Sequence, residues 1–196
     1  VVPANAPAKT VADLVKIARA KPGEIAIANT GLGSGPHLAA VLLGNMTQSQ
    51  FNHIPYKGGG PAMQDLAAGR VQALLTTTIA AMPHVQSGRL RALGVSSAAR
   101  WPTIPDLPTI AESGVPGYAV VTWYMLLAPA KTPVPILAKL EADTGRAIRH
   151  PLAQKVLGSE GGELIGSSSA EATELLKRET ALWSKVIKDA GIKPTD

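Results

Sequence analysis

The sequence predicts an α/β fold organised around a parallel sheet. Short apolar segments typical of buried strands alternate along the chain with segments of helical periodicity. Two predicted strands, 25–29 and 51–55, each lead into a glycine-rich loop that ends at a proline suited to the first turn of a helix. Strands that alternate with helices in this way form βαβ units with parallel strands.

The first half of the chain supplies most of the predicted strands. Residues 1–2 are interpreted as the end of a strand that begins upstream. Thr10 is placed to cap a helix with Asp13 three residues later, and Lys21-Pro22-Gly23 ends that helix. The elements predicted next are strand 25–29, helix 36–46, strand 51–55, helix 61–68, strand 71–75, helix 79–87 and strand 90–96. Residues 101–108 contain three prolines and are predicted to form a long surface loop.

The second half is predicted to be mainly helical. Residues 118–127 are predicted as a strand, and Thr132 as the cap of a helix over 133–150. A helix over 151–158, the turn at Gly161-Gly162 and a strand over 163–165 follow. Serines 167–169 are predicted to cap a final amphipathic helix that reaches about residue 190, with Trp183 in the core.

Composition excludes several classes of site. The chain has 196 residues, 45% of them apolar, which is enough for one large domain or two lobes. It has no cysteine and four widely separated histidines, so we predict neither a disulfide nor a metal site, and no cofactor. No apolar run of membrane-spanning length and no signal peptide is found, which predicts a cytoplasmic protein or a mature or truncated chain. The net charge is +5, but scattered basic residues and 4% aromatics argue against nucleic-acid binding.

The glycine loop at 30–35 predicts an anion site. Its three alternate glycines allow positive φ and expose backbone N–H groups just before a helix, whose dipole is positive at that end. The hydroxyls of Thr30 and Ser34 are placed to point at the same position. The spacing matches neither the dinucleotide loop nor the P-loop, so a small carboxylate is favoured. A plain βα connection without a ligand is the alternative.

A second glycine loop, 56–62, repeats this pattern and adds the positive charge of Lys57. If the preceding strands are neighbours in a parallel sheet, both loops lie at its carboxyl edge, where open α/β sheets bind ligands. Strand 71–75 ends in three threonines, 76–78, which bring hydroxyls to the same edge or simply reflect the β-propensity of threonine.

Six blocks together resemble the TctC/Bug family, the periplasmic solute-binding proteins of tripartite tricarboxylate transporters. They are TGLGSGPHL at 30–38, PYKGGGPA at 55–62, MPHVQSGRLRAL at 82–93, PDLPTIAESG at 105–114, WYMLLAPA at 123–130 and KVIKDAGI at 185–192. The resemblance covers essentially the whole chain.

The resemblance implies a type II periplasmic-binding-protein fold, the Venus flytrap, with the second lobe complete and the first only partly present. Residues 1–4 would be a crossover strand, 5–122 the second ligand-binding lobe and 123–196 the C-terminal part of the first lobe. Family members carry a signal peptide and further residues ahead of this chain's start. The implied protein is periplasmic, has no catalytic residues, and passes a small organic carboxylate to the membrane components of its transporter.

The resemblance also implies the residues that contact the ligand. Thr30, Ser34 and His37, with the amides of Gly31, Gly33 and Gly35, would hold a carboxylate. Two further groups complete the implied cleft: Tyr56, Lys57, Gly58 and Gly59 in the opposing wall, and Thr76 with Thr77 at the far end. Many relatives have an aspartate where this chain has Thr76, so an amine-free mono- or dicarboxylate is favoured. His37 is interpreted as a structural donor rather than a charged contact.

Two other functions stay open from the sequence. One is an α/β enzyme acting on an anionic substrate through His37 or Lys57, although no nucleophile and base are paired in a known motif. The other is the effector-binding domain of a transcription regulator. Without the N-terminal elements that the resemblance implies, apolar positions such as Leu126 and Leu127 would be uncovered, which predicts either a dimer through the exposed surface of the first lobe or a compact repacked fragment.

Overall fold

The computed structural model describes residues 1–159 and 163–192, so the predicted Gly161-Gly162 turn lies outside the described residues. The chain divides into two compact units: unit 1 is Val1–Thr122 with the chain from Val186 onward, and unit 2 is Trp123–Lys185. Unit 1 contains β1 (Val2–Pro3), α1 (Val11–Ala20), β2 (Ala26–Asn29), α2 (Gly35–Thr47), β3 (Asn52–Pro55), α3 (Gly59–Ala67), β4 (Ala73–Leu74), α4 (Thr78–Gln86) and β5 (Leu90–Arg91). Unit 2 contains α5 (Val134–Ile148), α6 (Pro151–Ser159) and most of α7 (Ser169–Asp189).

The main sheet of unit 1 is parallel, as predicted, with strand order β3-β2-β4. Ala28 of β2 is in register with Ile54 of β3 on one side and Leu74 of β4 on the other. The side chain of Ile27 packs in a core with α1 and α2, and that of its neighbour Ala28 packs in a second core with α3. Alternate residues of β2 therefore fill two cores, which is expected for a strand covered by helices on both faces.

Local signals in unit 1 are largely confirmed. Thr10 and Asp13 form the predicted capping box at the start of α1, and α1 ends before Lys21. The first residues of α2, α3 and α4 each lie within two residues of the predicted helix starts. Residues 101–108 contain no helix or strand and are exposed or half-buried, as expected for a proline-rich surface loop.

Two predicted strands are wrong in whole or in part, because they lack a strand to pair with. Residues 118–127 form no strand, and β5 stops at Arg91 although 90–96 was predicted. Val95 and Thr109 form an isolated bridge, and the Val120 N–H donates to the Ser96 carbonyl (2.7 Å), but these single contacts do not extend into a strand. Apolar and β-branched residues favour strands, but an extended segment becomes a strand only when a neighbour accepts its hydrogen bonds.

Unit 2 corrects three further expectations. The N-cap of α5 is Pro133, not Thr132, and no side chain caps this helix. Residues 163–165 are irregular and not a strand. Trp183 is half-buried rather than part of the core, and its indole N–H donates to Glu179 Oε2 (2.9 Å). The predicted serine cap of α7 is confirmed, since Ser168 Oγ accepts the Glu171 N–H (3.3 Å).

Within residues 1–159 and 163–192, no helix combines the length and the apolar character that a membrane crossing requires.

Candidate ligand-binding site

Three helices of unit 1 begin where the three parallel strands end. A loop at 30–34 joins β2 to α2, a loop at 56–58 joins β3 to α3, and residues 75–77 join β4 to α4. Because the three strands are parallel neighbours, these loops lie at the same edge of the sheet. The predicted shared position of the two glycine loops is confirmed. The first turn of each helix brings free N–H groups and a positive dipole end to this edge.

The first loop depends on glycine at two positions. Gly31 and Gly33 have φ of 128° and 73°, values that side chains with a Cβ rarely adopt. Gly35 was also expected to have a positive φ. It is instead the first residue of α2, and its φ is not positive. Ser34 is the N-cap of α2: its Oγ accepts the His37 N–H (3.4 Å) and donates to the Gly31 carbonyl (2.7 Å).

The loop satisfies several of its own donors. The Gly31 N–H donates to Asn29 Oδ1 (3.1 Å), and the Gly33 N–H donates to His37 Nδ1 (3.0 Å). An anion could recruit these two amides or the Ser34 hydroxyl only by replacing bonds that the loop already makes. Three loop amides have no hydrogen-bond partner in the described part of the chain: Thr30, Leu32 and Gly35.

His37 acts as an acceptor, not as the structural donor that was predicted. Its side chain is buried, and because Nδ1 accepts the Gly33 N–H, the ring is neutral with its proton on Nε2. Burial lowers the pKa of His37 below its ordinary value. The His53 ring meets it edge to face with centroids 5.0 Å apart, and burial and the neighbouring His37 lower the pKa of His53 as well.

The second loop presents backbone rather than side-chain donors. Gly58 caps α3 with φ of 104°, and no side chain occupies the cap position. Among the residues that the structure covers, the amides of Gly59 and Gly60 have no partner. The Tyr56 hydroxyl donates to Asp65 Oδ2 (2.7 Å) on α3, so this hydroxyl is already engaged. Lys57 is exposed.

The third loop carries two threonines with different surroundings. Thr77 is the N-cap of α4, and its hydroxyl accepts the Ala80 N–H (3.4 Å). Thr76 is half-buried, and no partner for its hydroxyl is found among the described residues. Within the same described ranges, no group of three His, Asp or Glu side chains is arranged to hold a metal ion.

Sequence reasoning missed Asn29 and His53 as parts of this edge. Asn29 is a polar residue at the end of an apolar strand directly before Thr30-Gly31, a position where an asparagine side chain often accepts a backbone N–H two residues later. That signal was available. His53 had none, because its contact with His37 depends on the pairing of β2 with β3.

The sequence profile described as "Tripartite tricarboxylate transporter family receptor", TctC, matches residues 1–192. The chain belongs to the TctC family. Two relatives are the "UPF0065 protein in tcbD-tcbE intergenic region" of Pseudomonas sp. strain P51, 38% identical, and "Protein BugT" of Bordetella pertussis, 32% identical. The first alignment covers 95% of this chain and 56% of the relative, and the second covers 92% and 55%. The chain thus spans about half the length of these TctC relatives.

Solved structures of the family share the fold. "R. palustris Rpa4515 with adipate" superposes with a TM-score of 0.84 at 37% identity, covering 99% of this chain and 65% of that one. "MatC (Rpa3494) from Rhodopseudomonas palustris with bound malate" superposes with a TM-score of 0.76 at 27% identity, covering 95% and 64%. The predicted α/β periplasmic-binding-protein fold is therefore confirmed.

Proposed function

We propose that this protein is a periplasmic solute-binding receptor that captures a small carboxylate and delivers it, chemically unchanged, to the membrane components of a tripartite tricarboxylate transporter. The supporting observation is the convergence of three helix starts at one sheet edge, where the amides of Leu32, Gly35, Gly59 and Gly60 have no partner within residues 1–159 and 163–192. A carboxylate accepts several hydrogen bonds and is stabilised by helix N-termini, so this edge suits it chemically. Membership of the TctC family supports the transport role.

The proposed contacts start from the predicted set in the first loop. Thr30 and the Gly35 amide are available there, and the Leu32 amide joins them, since none has a partner among the described residues. The Gly31 and Gly33 amides and the Ser34 hydroxyl are engaged within the loop, and His37 holds the loop through the Gly33 N–H. The opposing wall is formed by 56–59, where the engaged Tyr56 hydroxyl leaves the backbone and the exposed Lys57 as the available groups. Thr76 and Thr77 close the far end.

The proposed ligand carries no amino group. An ammonium group bound near Thr76 would need a carboxylate partner, and a threonine hydroxyl supplies no charge. Two of the superposed structures are described with adipate and with bound malate, both dicarboxylates without an amine. We therefore propose an amine-free mono- or dicarboxylate.

We also propose that the two lobes follow the predicted boundaries, with 1–4 as a crossover strand, 5–122 as the second lobe and 123–196 as part of the first. The end of the first segment of unit 1 at Thr122 supports this division. The chain from Val186 onward groups with unit 1, so the lobe assignment of the final segment rests on the family resemblance alone.

The test is isothermal calorimetry of this chain with adipate, malate and 2-aminoadipate. We expect heat of binding with at least one of the two amine-free acids and weaker or no binding of the amino acid. Recovery of the acid unchanged after incubation would support binding without catalysis. Absence of binding by all three acids, or turnover of any of them, would contradict the proposal.

A further inference from the structure

A cluster of buried and half-buried polar side chains supports the first glycine loop. We define it as Asn29, His37 and His53. Asn29 is fully buried at the end of β2, and His37 is 4% exposed in the first turn of α2. Burial of polar side chains costs free energy unless their hydrogen bonds are replaced, so this cluster calls for a physical reason.

The cluster fixes the loop at two points. Asn29 Oδ1 accepts the Gly31 N–H at 3.1 Å, and His37 Nδ1 accepts the Gly33 N–H at 3.0 Å. These two amides flank Leu32, whose own N–H has no partner in the described ranges and whose side chain is 56% exposed. The two bonds therefore set the direction in which the free Leu32 amide points.

The cluster is not arranged for stability alone. Asn29 Nδ2 and His53 Nδ1 are both buried and lack a hydrogen-bond partner among the described residues. A buried donor or acceptor left unpaired typically costs about 1–3 kcal/mol. Such a cost is commonly found where a polar group serves binding or catalysis.

We propose that Asn29 and His37 are positioning residues that hold the Gly31 and Gly33 amides, so that the loop presents its remaining donors to a carboxylate, and that carboxylate affinity consequently requires a neutral His37. This inference rests on the proposed function. It assigns His37 a role through the loop in place of a direct contact with the ligand.

The surroundings of His37 give the direction of the pH dependence. Two groups face it or its helix: His53 from β3, whose ring meets it edge to face, and Tyr118, whose hydroxyl donates to the Ala39 carbonyl at 3.0 Å. The first turn of α2 carries no acidic residue. Burial raises the pKa of Tyr118, so its hydroxyl stays protonated throughout the relevant range.

Protonation of His37 would place an N–H at Nδ1, facing the N–H of Gly33, and the bond between them would be lost. Burial lowers the pKa of His37 below its ordinary value of 6.5. The loop bond is therefore complete above that pKa and is lost as the pH falls through it. We therefore expect carboxylate affinity to decrease as the pH falls through the pKa of His37.

Three variants separate this role from a general structural one. His37→Asn places an amide oxygen near the position of Nδ1 and cannot be protonated in this range. His37→Leu removes the acceptor. His150→Asn is the matched control, because His150 is exposed in unit 2 and its Nδ1 also accepts a backbone N–H, that of Leu152, at 3.2 Å.

The experiment records the Gly33 amide resonance and calorimetry with adipate from about pH 7.5 to about pH 5.5, a range in which histidine titrates. We expect the Gly33 resonance of the unmodified chain and of H150N to titrate with a midpoint below 6.5, and that of H37N to stay constant. Adipate affinity should fall by about two- to tenfold across the range in the first two proteins and much less in H37N, while H37L binds weakly throughout.

Two results would overturn the inference: a Gly33 resonance that does not titrate, or equal loss of adipate affinity with pH in the unmodified chain and H37N. The second result would identify protonation of adipate itself as the cause. If no carboxylate binds at any pH, the proposed function and the role of the loop in binding both fail. If adipate binds without pH dependence, this inference alone fails.

Discussion

At the scale of single residues, two polar side chains of the candidate site differ in their freedom. The Tyr56 hydroxyl is engaged by Asp65, which also binds Arg70 at 2.6 Å, and these two partners lower the pKa of the Asp65 carboxyl. The Thr76 hydroxyl has no such partner among the described residues. Thr76 is therefore the residue at this edge where a substitution should change ligand preference most directly.

We predict that Thr76→Asp reverses the preference for amine-free acids. A carboxylate at this position repels a dicarboxylate and attracts an ammonium group. Adipate affinity should fall at least about tenfold, and 2-aminoadipate should gain relative to adipate. Calorimetry with both acids measures the change.

Thr103→Asp is the matched control, because it adds the same charge at an exposed threonine in the 101–108 loop. Equal effects of the two substitutions would show that net charge, and not the position of Thr76, controls binding.

At the scale of elements, the first glycine loop combines two demands on its backbone. Gly33 must adopt φ of 73° while its N–H reaches His37, whereas Gly35 begins a helix and has open space around its Cα. Neither position would bring an added Cβ within 4 Å of another group. Any difference between alanine substitutions at these glycines therefore reflects backbone conformation.

We predict that Gly33→Ala destabilises the loop and Gly35→Ala does not. A residue with a Cβ in the left-handed region costs about 1 kcal/mol or more. Chemical denaturation should show this loss for G33A, and adipate binding should weaken with it. Equal stability and affinity of the two variants would contradict the account of the loop.

The elements that could be predicted are those determined by short-range signals. The start of α1 is set by the capping box of Thr10 and Asp13, and the starts of α2 and α3 by nearby prolines and glycines. Because these residues act within a few positions of the helix start, the local sequence is enough to predict it. The strand predicted at 118–127 failed because strand formation depends on a distant partner.

The features of the candidate site also divide into those that local sequence predicts and those that depend on the folded structure. The glycine loops and their shared sheet edge followed from local patterns and the rule for parallel strands. The contact of His37 with His53 could not be predicted, because it arises from the register of β2 against β3. The acceptor role of His37 joins residues only four apart, but it depends on the side-chain conformation of His37, which the sequence pattern does not give.

At the scale of the whole molecule, unit 2 exposes many apolar side chains. None of the residues of α5 is buried, and Leu126 and Leu127 are 69% and 71% exposed. Exposed apolar side chains in such number are typical of interfaces and promote self-association.

We predict that the chain dimerises through this surface of unit 2. Light scattering should give a dimer mass, and Leu126→Lys with Leu127→Lys should shift it toward the monomer. Val121→Lys is the control, since Val121 is 55% exposed but lies in unit 1. A monomer that binds no dye specific for exposed apolar surface would contradict this prediction.

Amide NMR of this chain during a titration with adipate locates the carboxylate site directly. We expect adipate to shift the amides of Leu32, Gly35, Gly59 and Gly60, at the starts of α2 and α3, more than those of α1 and α5. Shifts confined to other elements, or no shifts at concentrations that saturate the calorimetric signal, would contradict a carboxylate site at this edge of the sheet.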